Sequence, residues 1–142
     1  CCDAVKSGCE ITSVFCTEIC AEKYADSINE LKSACSDFYF VSEDVLKSIS
    51  DTVTPQGVVC AVKMRSNDFE YESGKRYIAL DTIQNPDNLG AISRTAEAFG
   101  IDGMVICGGC DIYNPKALRA SMGALFRLPV KVCKNLKDEI LL

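Results

Sequence analysis

The sequence predicts an α/β protein, and three observations carry that prediction. Apolar runs of strand length alternate along the chain with segments whose apolar residues recur at helical spacing. One stretch, Leu80 to Gly100, passes from the end of an apolar run through a polar turn into a helix-spaced pattern, the unit from which parallel sheets are built. And 142 residues with 48% apolar side chains suffice for the core of one compact domain or two small ones.

In chain order, Cys1-Cys2-Asp3-Ala4-Val5-Lys6-Ser7-Gly8 reads as the last turns of a helix ending at a glycine. Ile11 to Cys16 is a strand candidate. Tyr24, Ala25, Ile28, Leu31 and Cys35 mark an amphipathic helix, and Phe38 to Val41 a second strand. Ser42 caps a short helix with Glu43 and Asp44 in its first turn and Val45, Leu46 and Ile49 inward. Thr54-Pro55-Gln56-Gly57 is a turn, and Val58 to Met64 a third strand. Residues 1–66 thus form a small α/β module with a mainly parallel or mixed sheet.

Residues 67–76 are polar and aperiodic and read as a linker. Beyond it come strand Tyr77 to Leu80, helix Leu89 to Phe99, strand Met104 to Cys107, helix Pro115 to about Leu125 and strand Val130 to Cys133. This is a βαβαβ half of a nucleotide-binding-type sheet spanning 77–142. Asn114-Pro115 is a strong helix start, with proline at the first helical position. The chain opens without Met and stops at Lys137-Asp138-Glu139-Ile140-Leu141-Leu142, a helix barely begun. The expectation is a fragment of a longer protein.

The helix after the Gln84-Asn85-Pro86-Asp87-Asn88 turn carries the candidate site. Leu89, Ile92, Ala96 and Phe99 share an apolar stripe at about 100° per residue. Gly90, Arg94 and Glu97 fall opposite. Asn88 is the expected N-cap. Gly90, one turn before Arg94, would let a ligand reach the backbone beside the guanidinium, and Glu97 would orient Arg94 through an ion pair. A capped surface helix with an exposed Arg–Glu pair explains the same residues.

Composition narrows the chemistry. Without histidine there is no His general base and no Ser–His or Cys–His dyad. The ten cysteines are scattered, several on strand-like runs (Cys16, Cys60, Cys107), where Cys packs as a small hydrophobe. Cys107-Gly108-Gly109-Cys110 is the only C-x-x-C, and a zinc site needs a second such pair or histidines, so no metal site is expected. No apolar run reaches membrane-spanning length. No Lys-flanked hydrophobic leader is visible, and reduced thiols in a cytoplasm are the expectation. Net charge is −5, yet residues 111–142 hold six Lys/Arg against three Asp/Glu, leaving room for a local basic surface.

The run Asn88-Leu89-Gly90-Ala91-Ile92-Ser93-Arg94-Thr95-Ala96-Glu97-Ala98-Phe99-Gly100 resembles the first signature of the SpoU (TrmH-like) RNA 2′-O-ribose methyltransferases of the SPOUT superfamily. Tyr113 to Val130 is similar to that family's middle segment. The Val41-Ser42-Glu43-Asp44-Val45-Leu46 and Thr54-Pro55-Gln56-Gly57 stretches resemble the small ribosomal-protein-like module that precedes its catalytic domain. The resemblance implies an RNA substrate-binding α/β module, incomplete at its N-terminus, followed by the N-terminal half of a SPOUT (α/β knot) domain. The knot-forming C-terminal part, with most of the cofactor pocket, is expected to be absent. It further implies methyl transfer from S-adenosylmethionine to a ribose 2′-hydroxyl of rRNA or tRNA by a homodimeric, cytoplasmic parent protein. Arg94 and Asn88 match the family's catalytic arginine and asparagine, with Gly90 and Glu97 supporting; no cofactor-binding residue is expected in this chain, which alone should neither bind S-adenosylmethionine nor methylate RNA. Two alternatives remain open: a non-catalytic RNA-binding homologue, and an unrelated doubly wound domain that binds a nucleotide at the helix terminus.

Overall fold

The computed structural model describes residues 1–140; Leu141 and Leu142, the end of the expected last helix, lie outside the described residues. The chain divides into two compact units, Cys1–Arg65 and Ser66–Leu142.

The first unit contains α1 (Cys2–Lys6), β1 (Ile11–Cys16), α2 (Glu18–Lys23), α3 (Ala25–Ala34), β2 (Cys35–Phe40), α4 (Glu43–Ile49) and β3 (Val58–Val62). Its sheet runs β2-β1-β3. β1 pairs β2 in parallel and β3 antiparallel, so the sheet is mixed. Ala4, Ile11, Val14, Cys16, Ile28, Leu31 and Leu46 are buried around the central strand. Ser42 caps α4 by accepting from the Val45 N–H. One expectation needs correction. Val45 and Ile49 are exposed, and only Leu46 of the three turns inward, because the buried stripe of this two-turn helix falls on Leu46 and the other two lie to one side of it. And α2, whose Thr17 cap accepts from the Cys20 N–H at 3.3 Å, was not legible as a separate helix.

The second unit contains β4 (Tyr77–Asp81), α5 (Pro86–Ala98), β5 (Gly103–Cys107), α6 (Pro115–Ala120), α7 (Ala124–Arg127), β6 (Val130–Cys133) and α8 (Leu136–Ile140). All three strands are parallel in the order β4-β5-β6. Met104, Val105 and Ile106 of the central strand are almost fully buried, as expected of a parallel strand covered on both faces. Leu80, Leu89, Ala96, Ile112, Ala117, Leu125, Leu128 and Val130 complete the core. α5 packs against both α6 and α7.

The helix expected from Pro115 to about Leu125 is two helices. Ser121 donates its hydroxyl back to the Leu118 carbonyl, and Met122 and Gly123 both take positive φ, +49° and +86°. Glycine adopts that conformation freely, whereas methionine does so at a cost. The polar stretch before β4 is not a free tether. The Val132 N–H donates to the Asn67 carbonyl, the Phe69 ring stacks on Tyr77, and Lys131 pairs with Asp68 and Glu139.

Candidate functional site

α5 begins at an Asn-Pro step. The Asn85 side chain accepts from the N–H groups of Asp87 and Asn88, at 2.8 and 3.4 Å, and Pro86 opens the first turn. Asn85, and not Asn88, is therefore the N-cap. Pro86 lacks the N–H that helix interiors require, so its natural place is the first helical position, which moves the cap to the residue before it. Asn88 stands exposed inside the first turn. The helix closes as its sequence implies: Gly100 has φ +68°, and Arg76 donates to the Phe99 and Gly100 carbonyls at 3.3 and 2.8 Å.

The expected faces of α5 are partly wrong. Leu89 and Ala96 are buried and Ile92 packs against the core, but Phe99 is 75% exposed beyond the helix end, where the chain turns away. Gly90 does not open a path for a ligand. A Cβ there would meet the Ala117 carbonyl oxygen at 2.6 Å and the Ser121 nitrogen at 2.8 Å, so Gly90 is where the α5 and α6 backbones touch. Ser93 is fully buried beside it, its hydroxyl donating to the Leu89 carbonyl at 2.7 Å. The seam is lined by small residues because anything larger would hold the helices apart.

Arg94 is exposed. Among the described residues it has no carboxylate partner, and its Nη1 lies 3.4 Å from the Met122 sulfur. A thioether is a weak acceptor, which leaves most of the guanidinium's donors for solvent or a ligand. Glu97 does not orient Arg94. Its two carboxylate oxygens take the Nε and Nη2 of Arg127 at 2.6 and 2.8 Å, a two-point ion pair across thirty positions of sequence. A fork-to-fork geometry on a fixed neighbouring helix outcompetes a flexible pairing one turn along the same helix. The hydrogen bonds from Arg127 hold the Glu97 carboxyl below its ordinary range, while partial burial pushes it up. Arg127 also donates to the Met122 carbonyl at 3.2 Å. Met122 thus sits between two guanidiniums, one on its backbone and one on its side chain.

At the strand ends, the turns after β4 and β5 close on each other. Gly109 (φ +90°) lies so near Ile83 that a Cβ would collide with its backbone, and the Cys110 N–H donates to the Ile83 carbonyl at 2.8 Å. The turns after β4 and β5 are thus held together by main-chain contact. Gly108-Gly109 serves the turn itself, since both residues have positive φ. Among the described residues no three metal-ligating side chains gather, and no helix is long and apolar enough to cross a membrane.

Arg127 and Met122 were invisible to sequence reasoning, because nothing local ties residue 127 to residue 97. Asn85 was legible. The same Asn-Pro pair marks the start of α6, where Asn114 accepts from the Lys116 N–H.

The fold is that of the SPOUT methyltransferases. The chain superposes on an S-adenosylmethionine-bound rRNA methyltransferase from Sinorhizobium meliloti with a TM-score of 0.77 at 29% identity, covering 98% of this chain and 52% of that one. The SpoU methyltransferase AviRb from Streptomyces viridochromogenes has the same fold, with a TM-score of 0.82 at 23% identity over 97% of this chain and 54% of that one. Residues 75–141 match the model of the SpoU rRNA methylase family, and residues 1–67 match that of the RNA 2′-O ribose methyltransferase substrate-binding module. The chain belongs to the SpoU methylase family. It is 35% identical over 103 residues to the 23S rRNA (guanosine(2553)-2′-O)-methyltransferase RlmP of Bacillus subtilis, covering 72% of this chain and 40% of that protein. To the mitochondrial rRNA methyltransferase 3A of Danio rerio it is 32% identical over 139 residues, covering 91% of this chain and 31% of that protein. It therefore spans well under half of these curated relatives and about half of the solved structures. Family membership removes the reading as an unrelated nucleotide-binding domain.

Proposed function

We propose that the protein containing this chain transfers a methyl group from S-adenosylmethionine to a ribose 2′-hydroxyl of ribosomal RNA, with Arg94 as the group that meets the reacting ribose. The observation that carries this reading is the state of Arg94: exposed, on the helix whose sequence resembles the family's first signature, and uncommitted to any carboxylate among the described residues while its neighbour Glu97 is engaged elsewhere. The names of these relatives, a 23S rRNA methyltransferase and an rRNA methyltransferase of mitochondria, support rRNA over tRNA.

A guanidinium keeps its proton at any working pH, so Arg94 acts here through charge. It holds a phosphate beside the target nucleotide and stabilises the negative charge that develops on the 2′-oxygen as its proton passes to solvent water. Asn88, exposed in the first turn of the same helix, offers an amide to the ribose or its phosphate. S-adenosylmethionine supplies the methyl group, and we assign none of the described residues to it. The resemblance also supports a homodimeric whole protein. A reducing cytoplasm suits its thiols, none of which is paired with another among the described residues.

The test is methyl transfer to ribosomal RNA from isotopically labelled S-adenosylmethionine by the whole protein. Arg94→Ala is expected to lower kcat/KM by at least about a hundredfold, the scale of losing one preorganised charge-stabilising donor, with an unchanged unfolding curve. Wild-type turnover by the variant would show Arg94 to be a surface residue and would favour a non-catalytic role for the site.

A further inference from the structure

Arg94 has a carboxylate one turn along its own helix, at a spacing where Arg–Glu pairs ordinarily form. An arginine bound to that carboxylate would be a poor ligand for RNA, because its charge would be neutralised and its donors occupied. The structure prevents this from another helix. Arg127, in α7, takes both oxygens of Glu97 and at the same time grips the Met122 carbonyl. The Met122 residue so held is the one whose sulfur lies against Arg94. It is also held in a left-handed conformation that methionine does not favour, followed by Gly123 in the same region.

We propose that Arg127 is a positioning residue for Arg94: it sequesters Glu97 and fixes the Met122 turn, so that Arg94 is presented to RNA without a competing carboxylate. This rests on the reading of Arg94 given above. Arg127 need not touch the substrate. The larger part of its effect passes through Glu97, and this gives it a signature that a merely structural ion pair lacks.

The experiment compares kcat/KM for RNA of the whole protein in four forms: wild type, Glu97→Gln, Arg127→Ala and the double variant. In Arg127→Ala the released Glu97 is free to capture Arg94, and activity is expected to fall about two- to fivefold, the factor an exposed ion pair supplies. In the double variant the liberated side chain carries no charge, so activity should rise again above that of Arg127→Ala. Recovery on removal of a second partner is the supporting result. A double variant as slow as Arg127→Ala, or slower, overturns the proposal and makes the pair a structural tie between α5 and α7. If Arg127→Ala melts below the assay temperature, Arg127→Gln, which keeps part of the stem and loses the charge, takes its place under the same criterion. Arg94→Ala is run alongside. Wild-type activity in that variant would defeat the reading of Arg94, whereas its loss without recovery in the double variant would defeat the role of Arg127 alone.

Discussion

Gly90 illustrates how a residue can be singled out correctly and understood wrongly. Its spacing from Arg94 suggested access for a ligand, but the position is filled by the backbone of α6. Gly90→Ala is therefore expected to cost about 1–3 kcal/mol, as over-packing of a rigid contact does, read as a lower urea midpoint with an unchanged slope. A second expectation concerns Glu97. Its carboxyl titrates below its ordinary value of 4.5 because Arg127 donates to the ionised form. A depressed acid stabilises the fold above its unfolded value, and that contribution disappears as pH falls through the lowered one. The gap in urea midpoint between wild type and Glu97→Gln should thus be present at neutral pH and close as the solution is acidified below 4.5. A gap that persists in acid would mean that packing, and not charge, links Glu97 to Arg127.

The helices were legible to the extent that their signals were local. α5 shows its core positions at Leu89 and Ala96, its proline at the first position and its terminal glycine. Its cap was misplaced by three residues, and the positions of Gly90 and Phe99 on its faces were misread. Asn85→Ala is expected to destabilise the second unit by about 1 kcal/mol, and Asn88→Ala by a few tenths at most, as for other surface changes; thermal unfolding of the two variants distinguishes them. Equal losses would show that both asparagines cap the helix. The break between α6 and α7 was not legible. Alanine, leucine and methionine at 117–125 all favour helix, and the kink comes from Ser121 bonding back to Leu118 and from Gly123 accepting a conformation that tertiary packing imposes. Five strands were placed to within two residues, since their apolar runs are short and bounded by polar turns. β2 was not: it opens at Cys35, which the helical spacing assigned to α3, and ends at Phe40 instead of Val41, because its first residues Cys35-Ser36-Asp37 carry no apolar run. α2 was missed because Tyr24 separates it from α3 without a glycine or proline to mark the join.

At the scale of the whole molecule, the chain provides two units of a family architecture and about half the length of the solved structures it matches. The turns at the ends of β4 and β5 are packed on each other. Calorimetric titration of the 142-residue chain with S-adenosylmethionine is accordingly expected to show no binding in the micromolar range. Micromolar affinity would place a cofactor site within the described residues. The two family matches were readable because long signatures follow one another in the expected order, whereas the Glu97–Arg127–Met122 arrangement arises only when α5 and α7 are brought together.

The glycine seam between α5 and α6 has one further consequence. Where two main chains lie in direct contact there is no side-chain cushion to absorb a change, so the spacing of these helices behaves like a fixed bearing. Random mutagenesis should therefore meet near-total intolerance of bulk at 90, 93, 117 and 121, while Asn88 and Thr95, a few ångströms around the same cylinder, drift freely in any screen for folding alone.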